Sequence, residues 1–353
     1  MVFYTLLLLS GMAIVFFSQF MGKRLELYLC VTLIILLGAV ASLRGYVGTD
    51  TYSYHLQFEQ IKSQDNFDET VLLIEPAFFA IGKFIQFIGG NSFVYVSFIG
   101  IMQTVLVIFI LTKIKNPALF LLFYIATFYL EFHFNILRAS TSSLIILISL
   151  LWIKEGGPRF YITLLASFLF HYAAIFVIVY VLLYRQFLNK KYVSAILLVL
   201  LLSIAIYGII TIFYDIFLIK YRYFLETDMM DERYFGMGVL LKLCLYIGLA
   251  VTLIRKNLLE IIVFVLPLAL IRLSMLRYPV IAGRVESFVL PLLIFILTND
   301  DVKNWKRDVI IIALSMLNVY GVLSTISHEK EMKVDFKYSV SPYVPYHTLF
   351  DVN

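Results

Sequence analysis

Ser92-Phe-Val-Tyr-Val-Ser-Phe-Ile-Gly-Ile-Met-Gln-Thr-Val-Leu-Val-Ile-Phe-Ile-Leu-Thr112 contains no Asp, Glu, Lys, Arg or His. About 20 such residues wound as an α-helix cover the hydrocarbon layer of a bilayer. Inside lipid only a helix or a closed barrel satisfies every backbone polar group. Apolar runs recur at Phe3–Phe20, Leu27–Leu43, Ala118–Phe132, Thr141–Ile153, Tyr192–Phe213, Met237–Ile254, Leu258–Ile271, Ser287–Thr298 and Val309–Ser324, three of them holding one charged residue each (Glu131, Lys242 and Glu260). Over the 353 residues 62% are hydrophobic and 14% charged, against about 45–50% and about 25% in a soluble domain. A soluble globular fold, disorder and a disulfide scaffold are excluded. The sequence predicts an all-α, polytopic integral membrane protein forming one transmembrane domain over residues 1–353. It should have about 10–12 transmembrane helices plus short re-entrant or broken helices around an outward-facing cavity. Phe3–Phe20, with no basic segment before it and no small-residue cleavage site after it, reads as a retained helix.

Pro76–Ile88 and Phe160–Tyr184 fit a single crossing poorly. The first is short and ends in Gly89-Gly90-Asn91; the second carries His171 near its middle. Basic clusters fix the expected orientation. Lys23/Arg24, Lys113/Lys115, Lys154/Arg159, Arg185/Lys190/Lys191, Arg255/Lys256 and Lys303/Lys306/Arg307 fall at alternate helix ends, which the positive-inside rule places in the cytoplasm. That parity requires Pro76–Ile88 to return to the side it left, and Phe160–Tyr184 to do the same or form two short helices. Both termini then lie outside, as do the segment 44–75 with its amphipathic helix, the loop 215–235 and the tail 328–353.

No connection is long enough for a soluble domain, so chemistry must come from outer loops and helix ends. Arg44, Arg138, Arg222, Arg233, Arg272, Arg277 and Arg284 fall near outer helix ends, where basic residues should be depleted. Arginine within a span costs ~2.5–3.5 kcal/mol, and its fork binds diphosphate bidentately. Snorkelling to headgroups or pairing with acidic loops is the alternative use. In Ile271-Arg-Leu-Ser-Met-Leu-Arg-Tyr-Pro-Val-Ile-Ala-Gly-Arg284, Pro279 and Gly283 suggest a break between two helices.

The sharpest local feature is Arg44-Gly-Tyr-Val-Gly-Thr-Asp50-Thr-Tyr-Ser-Tyr54. A helix ends at Arg44, two glycines make a turn, and Asp50 can cap an amphipathic helix over Tyr52–Lys62. Asp50 could instead hold Arg44 or a sugar hydroxyl. His171 sits at the expected hairpin turn as a candidate general base, or as a structural histidine. Glu75 is a rival base, and Glu131, His133 and Asn135 form a second polar group near Arg138. Metal-ligand, P-loop, dinucleotide and G-x-S-x-G patterns are absent from the sequence. Tyr338, Tyr343 and Tyr346 in the tail read as a lid or docking segment, or as rings for stacking on sugars.

Together these motifs resemble the EpsG family, Wzy-like polysaccharide polymerases of bacterial membranes. The resemblance rests on Arg44–Tyr54, Asn135-Ile-Leu-Arg138, Phe170-His171, the stretch from Arg277 to Arg284 and the Pro-Tyr tail. It implies transfer of a growing glycan from one undecaprenyl diphosphate to the non-reducing end of a repeat unit on another, at the outer face of the cytoplasmic membrane. It carries that role onto Arg44, Asp50, Tyr54, Arg138, His171, Arg277 and Arg284. Arg272 joins the arginines that could bind the diphosphate and sugar, and His171, Asp50 and Glu75 remain open as bases. No cofactor, metal or nucleic acid is implied; the partners are the lipid-linked donor and acceptor, the bilayer, and a candidate chain-length regulator. A ligase delivering finished glycan should carry a large late outer loop. A flippase should show pseudo-symmetric halves and charges along a through-path. The sequence has neither feature.

Overall fold

The structure is a computed structural model, described over residues 2–63, 74–191, 193, 237–254, 258–274, 279–300, 304–328, 346, 348 and 350; side chains at 237, 272, 274, 279–285 and 325–328 are outside the description. Among the described residues every regular element is helical. In chain order they are α1 Val2–Ser18, α2 Lys23–Ser42, α3 Thr51–Lys62, α4 Pro76–Phe87, α5 Ser92–Leu111, α6 Pro117–Thr127, a π-helical turn Glu131–Asn135, and α7 Leu137–Leu150. There follow α8 Pro158–Phe170, α9 Ala174–Leu188, α10 Met237–Leu253, the single turn α11 Leu258–Glu260, a second π-helical turn Ile261–Val265, α12 Leu266–Ser274, α13 Pro279–Thr298 and α14 Trp305–His328. The expected span Tyr192–Phe213, the loop 215–235 and most of the tail lie outside the described residues.

The centre is built by α6 and α7. Pro117 to Ala126 are all buried, as are Ser140 to Leu150, so each helix is enclosed on every side. The hydroxyls of α7 are satisfied locally or across a helix: Thr141 Oγ1 donates to Leu137 O at 2.8 Å, and Ser142 Oγ to Ser167 O of α8 at 2.9 Å. Their small size lets α8 pack closely on α7, its most extensive neighbour. Gln103 of α5 donates to Ser140 Oγ and to Leu137 O. At Gly38 of α2 a Cβ would overlap Thr104 of α5, so a glycine is what allows those helices to touch.

The outer surface is apolar. Leu36, Ile101, Val105, Ile162, Phe176 and Val251 are all exposed, while Ser140, Thr141 and Gln103 are buried. That inverts the order of a water-soluble protein and suits a lipid solvent. Three helices, Lys23–Ser42, Ser92–Leu111 and Trp305–Ser324, are long and apolar enough to cross a bilayer, and shorter apolar helices complete a polytopic membrane bundle.

Two ends can be told apart. At one, Glu26 accepts from Ala118 N, Asn116 Nδ2 donates to Thr298 O, and Arg185 Nε donates to Ile153 O. These bonds gather the described basic clusters around Lys23, Lys113, Lys154 and Arg185. At the other, Ser97 of α5 reaches Ser42 O of α2, and α3 and α4 lie side by side, with Gln86 Nε2 on Lys62 O. Helix α4 leads from Glu75, which is bonded to Arg138 at the start of α7, to the turn that opens α5, and α8 and α9 are the expected pair of short helices around His171.

Some helix boundaries differ from expectation. Helix α6 stops at Thr127, before Phe132, and the chain winds through a π turn closed by Ile136 N on Glu131 O. Helix α7 begins at Leu137 because Ser140 and Thr141 bond back to Leu137 O, so polar residues sit comfortably in its first turn. Pro279 opens α13 at its first position and the helix continues through Gly283. Proline at that position loses no intrahelical bond, and the expected boundary between two helices falls between Ser274, the end of α12, and Pro279, with Gly283 inside α13.

Candidate functional site

Glu75 immediately precedes α4, whose first residue is Pro76. Its carboxylate is held from two sides. His171 Nδ1 lies 2.8 Å from Oε1, and Arg138 Nη1 donates to Oε2 at 2.7 Å. The Glu75 side chain is 5% exposed, His171 23% and Arg138 35%. The carboxylate is therefore the floor of the site, and the imidazole and guanidinium are its open edge.

Each group is placed by a local feature. His171 occupies the break between α8 and α9 in extended backbone, its N–H on Ser167 O and its carbonyl accepting from Ala174 N. Its ring lies nearly parallel to Phe288 of α13, 10° apart with centroids at 6.2 Å. Arg138 is the second residue of α7, and its N–H is 3.5 Å from the Tyr54 hydroxyl. Tyr54 is buried on the inner face of α3 with Phe58 and Ile61.

Burial pulls the Glu75 carboxyl upward, but the His171 hydrogen bond and the Arg138 charge outweigh it and hold the group below the ordinary carboxylate range. An ionised carboxylate only accepts, so His171 Nδ1 must carry a proton. In the neutral imidazole Nε2 is then the nitrogen with a free lone pair. That is the tautomer a general base needs.

Four of the residues singled out from the sequence therefore meet: Tyr54, Glu75, Arg138 and His171. Arg44 stands apart. It is 1% exposed, its Nη1 donates to Ala41 O and its Nε to Thr51 Oγ1. Its guanidinium lies 5.1 Å from the Phe134 ring centroid, and its backbone bridges to Thr348 of the tail. Tyr346 folds back with it, donating to Val40 O and stacking on Phe3. Asp50 caps neither α3 nor Arg44; Oδ1 accepts from Thr49 Oγ1 at 3.2 Å. Arg277 lies outside the described residues, as do the side chains of Arg272 in α12 and Arg284 in α13.

The loop between Arg44 and Tyr54 positions α3. Thr49 N donates to Asn135 Oδ1, and Thr51 Oγ1 donates to Val47 O and Phe134 O. Gly48 has φ +110°, and a Cβ there would overlap Phe134 O. Sequence reasoning missed Phe288, which no pattern marks within an apolar run, and the Ser287 Oγ bond to Glu131 Oε1 at 2.7 Å that ties α13 to the π turn. It also passed over Tyr95, which packs in one buried cluster with Tyr54, Phe78 and Leu137. Among the described residues no three His, Cys, Asp or Glu side chains stand together as a metal-ligand set.

The EpsG family model matches residues 2–346. Curated proteins and solved structures gave no match. The chain belongs to the EpsG family, which is related to Wzy-like polysaccharide polymerases, and it is a multi-pass membrane protein associated with polysaccharide biosynthesis.

Proposed function

We propose that this EpsG-family chain is a glycosyltransferase that joins undecaprenyl-diphosphate-linked oligosaccharide repeat units. The observation that carries the reading is the Glu75 carboxylate gripped at once by His171 and Arg138, 2.8 and 2.7 Å away. A base oriented by a carboxylate, with a guanidinium beside it, is what an acceptor hydroxyl and a diphosphate leaving group require.

In this reading the acceptor hydroxyl lies against His171 Nε2 and attacks the anomeric carbon of the donor sugar. The new C–O bond forms as the bond to the donor's diphosphate breaks. The hydroxyl proton passes to Nε2, and the electron pair leaves with the lipid diphosphate. Glu75 holds the resulting imidazolium through Nδ1–H. Arg138 stabilises the charge gathering on the departing diphosphate. Arg284, one helical turn before Phe288 in α13, is a candidate second clamp, with Arg272 and Arg277 also drawn from this part of the chain. No step calls on a metal or cofactor. Arg44, occupied by its own helix end, serves the loop rather than the substrate.

The membrane side follows from charge. The described basic clusters gather at the bundle end opposite Glu75, and the positive-inside rule assigns that end to the cytoplasm. The site then opens on the outer face of the bacterial inner membrane, where lipid-linked donor and acceptor meet it. Reconstituted protein given a synthetic lipid-linked repeat should build a ladder of lengths, reduced to single repeats by Arg138→Ala and by Arg284→Ala. A full ladder from both variants overturns the clamp. Movement of an unextended repeat across the bilayer, without extension, would make the protein a transporter instead.

A further inference from the structure

Tyr95 sits in the first turn of α5, among the buried residues that pack with α3 and α4. Its side chain is fully buried, tilted over Phe58 at 5.4 Å and edge-on to Phe78. Among the described residues its hydroxyl has no hydrogen-bond partner. The same buried cluster holds Tyr54, Ile74 and Leu137, the last two being the chain neighbours of Glu75 and Arg138. A buried hydroxyl without a partner destabilises the fold, and native proteins keep few of them. Phenylalanine would fill this apolar niche equally well, so the oxygen calls for a use in some other state of the site.

Binding creates that state. Arg138 grips Glu75 through Nη1 alone, whereas a diphosphate offers the guanidinium two oxygens in fork geometry. The Arg138 side chain is about one third exposed and can turn outward. Glu75, 5% exposed, cannot follow. Its Oε2 would be left as a buried carboxylate oxygen with no donor, the costliest kind of unmet group.

We propose that Tyr95 is a positioning residue whose hydroxyl takes over Glu75 Oε2 when Arg138 swings to the diphosphate of the lipid-linked substrate. The resting structure thus holds a donor in reserve. Glu75 remains ionised and His171 keeps its tautomer throughout the exchange. The Tyr54 hydroxyl accepts from Arg138 N and also meets the Arg138 side chain. The inference rests on the diphosphate-clamp reading of Arg138 given above.

The test is binding of a soluble short-chain polyprenyl diphosphate to the purified protein, measured by calorimetry beside ligand-free thermal unfolding. Tyr95→Phe should bind about tenfold more weakly, equal to ~1.4 kcal/mol, with a ligand-free Tm equal to wild type or higher. In an Arg138→Ala background the same substitution should have no further effect, because the exchange no longer occurs. Wild-type affinity in Tyr95→Phe overturns the proposal. So does a Tm several degrees lower, since the hydroxyl would then already be bonded at rest. Undiminished binding by Arg138→Ala alone removes the clamp reading itself, and the reserve donor with it.

Discussion

Glu75→Gln is the most instructive single change because it alters charge while leaving shape in place. Two charge-assisted hydrogen bonds meet on this carboxylate. The one from His171 is largely enclosed and contributes ~1.5–3 kcal/mol. The one from Arg138, whose side chain is 35% exposed, is discounted for solvent to ~0.5–1 kcal/mol. Glutamine keeps one acceptor and forfeits the charge, so the fold should lose on the order of 1–2 kcal/mol. The catalytic loss should be far larger. An amide can donate to Nδ1, which permits the imidazole to carry its proton on Nε2 and leaves it unable to act as base. Replacing the carboxylate behind a catalytic imidazole costs up to ~10⁴ in kcat, so a fall of ~10²–10⁴ is expected. The assay is extension of a synthetic lipid-linked repeat by protein in nanodiscs, with size-exclusion profiles confirming assembly. More than a tenth of the wild-type rate in well-assembled Glu75→Gln would refute the orientation argument.

Three further outcomes are expected. Glu75 titrates below its unfolded value of about 4.3 when folded, so its contribution to stability is full at neutral pH and is lost as pH falls through the folded value. Thermal unfolding of Glu75→Gln should lack that acid-side loss, and parallel curves for variant and wild type would contradict it. Arg44→Ala should cost on the order of 3 kcal/mol through two hydrogen bonds from a buried guanidinium, lowering Tm and yield, while Arg138→Ala, whose place on Glu75 Oε2 the Tyr95 hydroxyl can take, should lower Tm less. Gly48→Ala must relieve both a positive φ and an overlap with Phe134 O, and should destabilise the loop by at least ~1–3 kcal/mol, visible as faster proteolysis between Arg44 and Tyr54.

Helix existence was legible because lipid demands it: an uncharged run such as Ser92 to Thr112 has no other stable form in a bilayer. The short segment after Pro76 and the hairpin at His171 could also be read, since both are too brief or too broken to cross and carry a polar residue at the break. Helix ends were harder. The π turn at Glu131–Asn135 depends on a single extra residue between carbonyl and amide, which apolar periodicity does not register. The sequence could suggest arginines near the outer end but could not sort them. Arg44 and Arg138 look alike on paper, yet one is buried against Phe134 and its own helix end, while the other opens beside Glu75. That difference is decided by contacts across some ninety residues of chain. Tyr95 and Phe288 were invisible for a related reason: an aromatic in an apolar helix signals packing, and only the neighbours supplied by α3, α4 and α8 give these two another part to play.

The central claim is that His171, oriented by Glu75, removes the acceptor proton while Arg138 receives the diphosphate. Single-turnover extension by purified His171→Ala, with donor and acceptor saturating, tests it most directly. The account predicts intact assembly, lipid-diphosphate affinity within about threefold of wild type, and a chemical step slowed by ~10²–10⁴. A wild-type rate for that step, in protein that still binds the carrier, would contradict it.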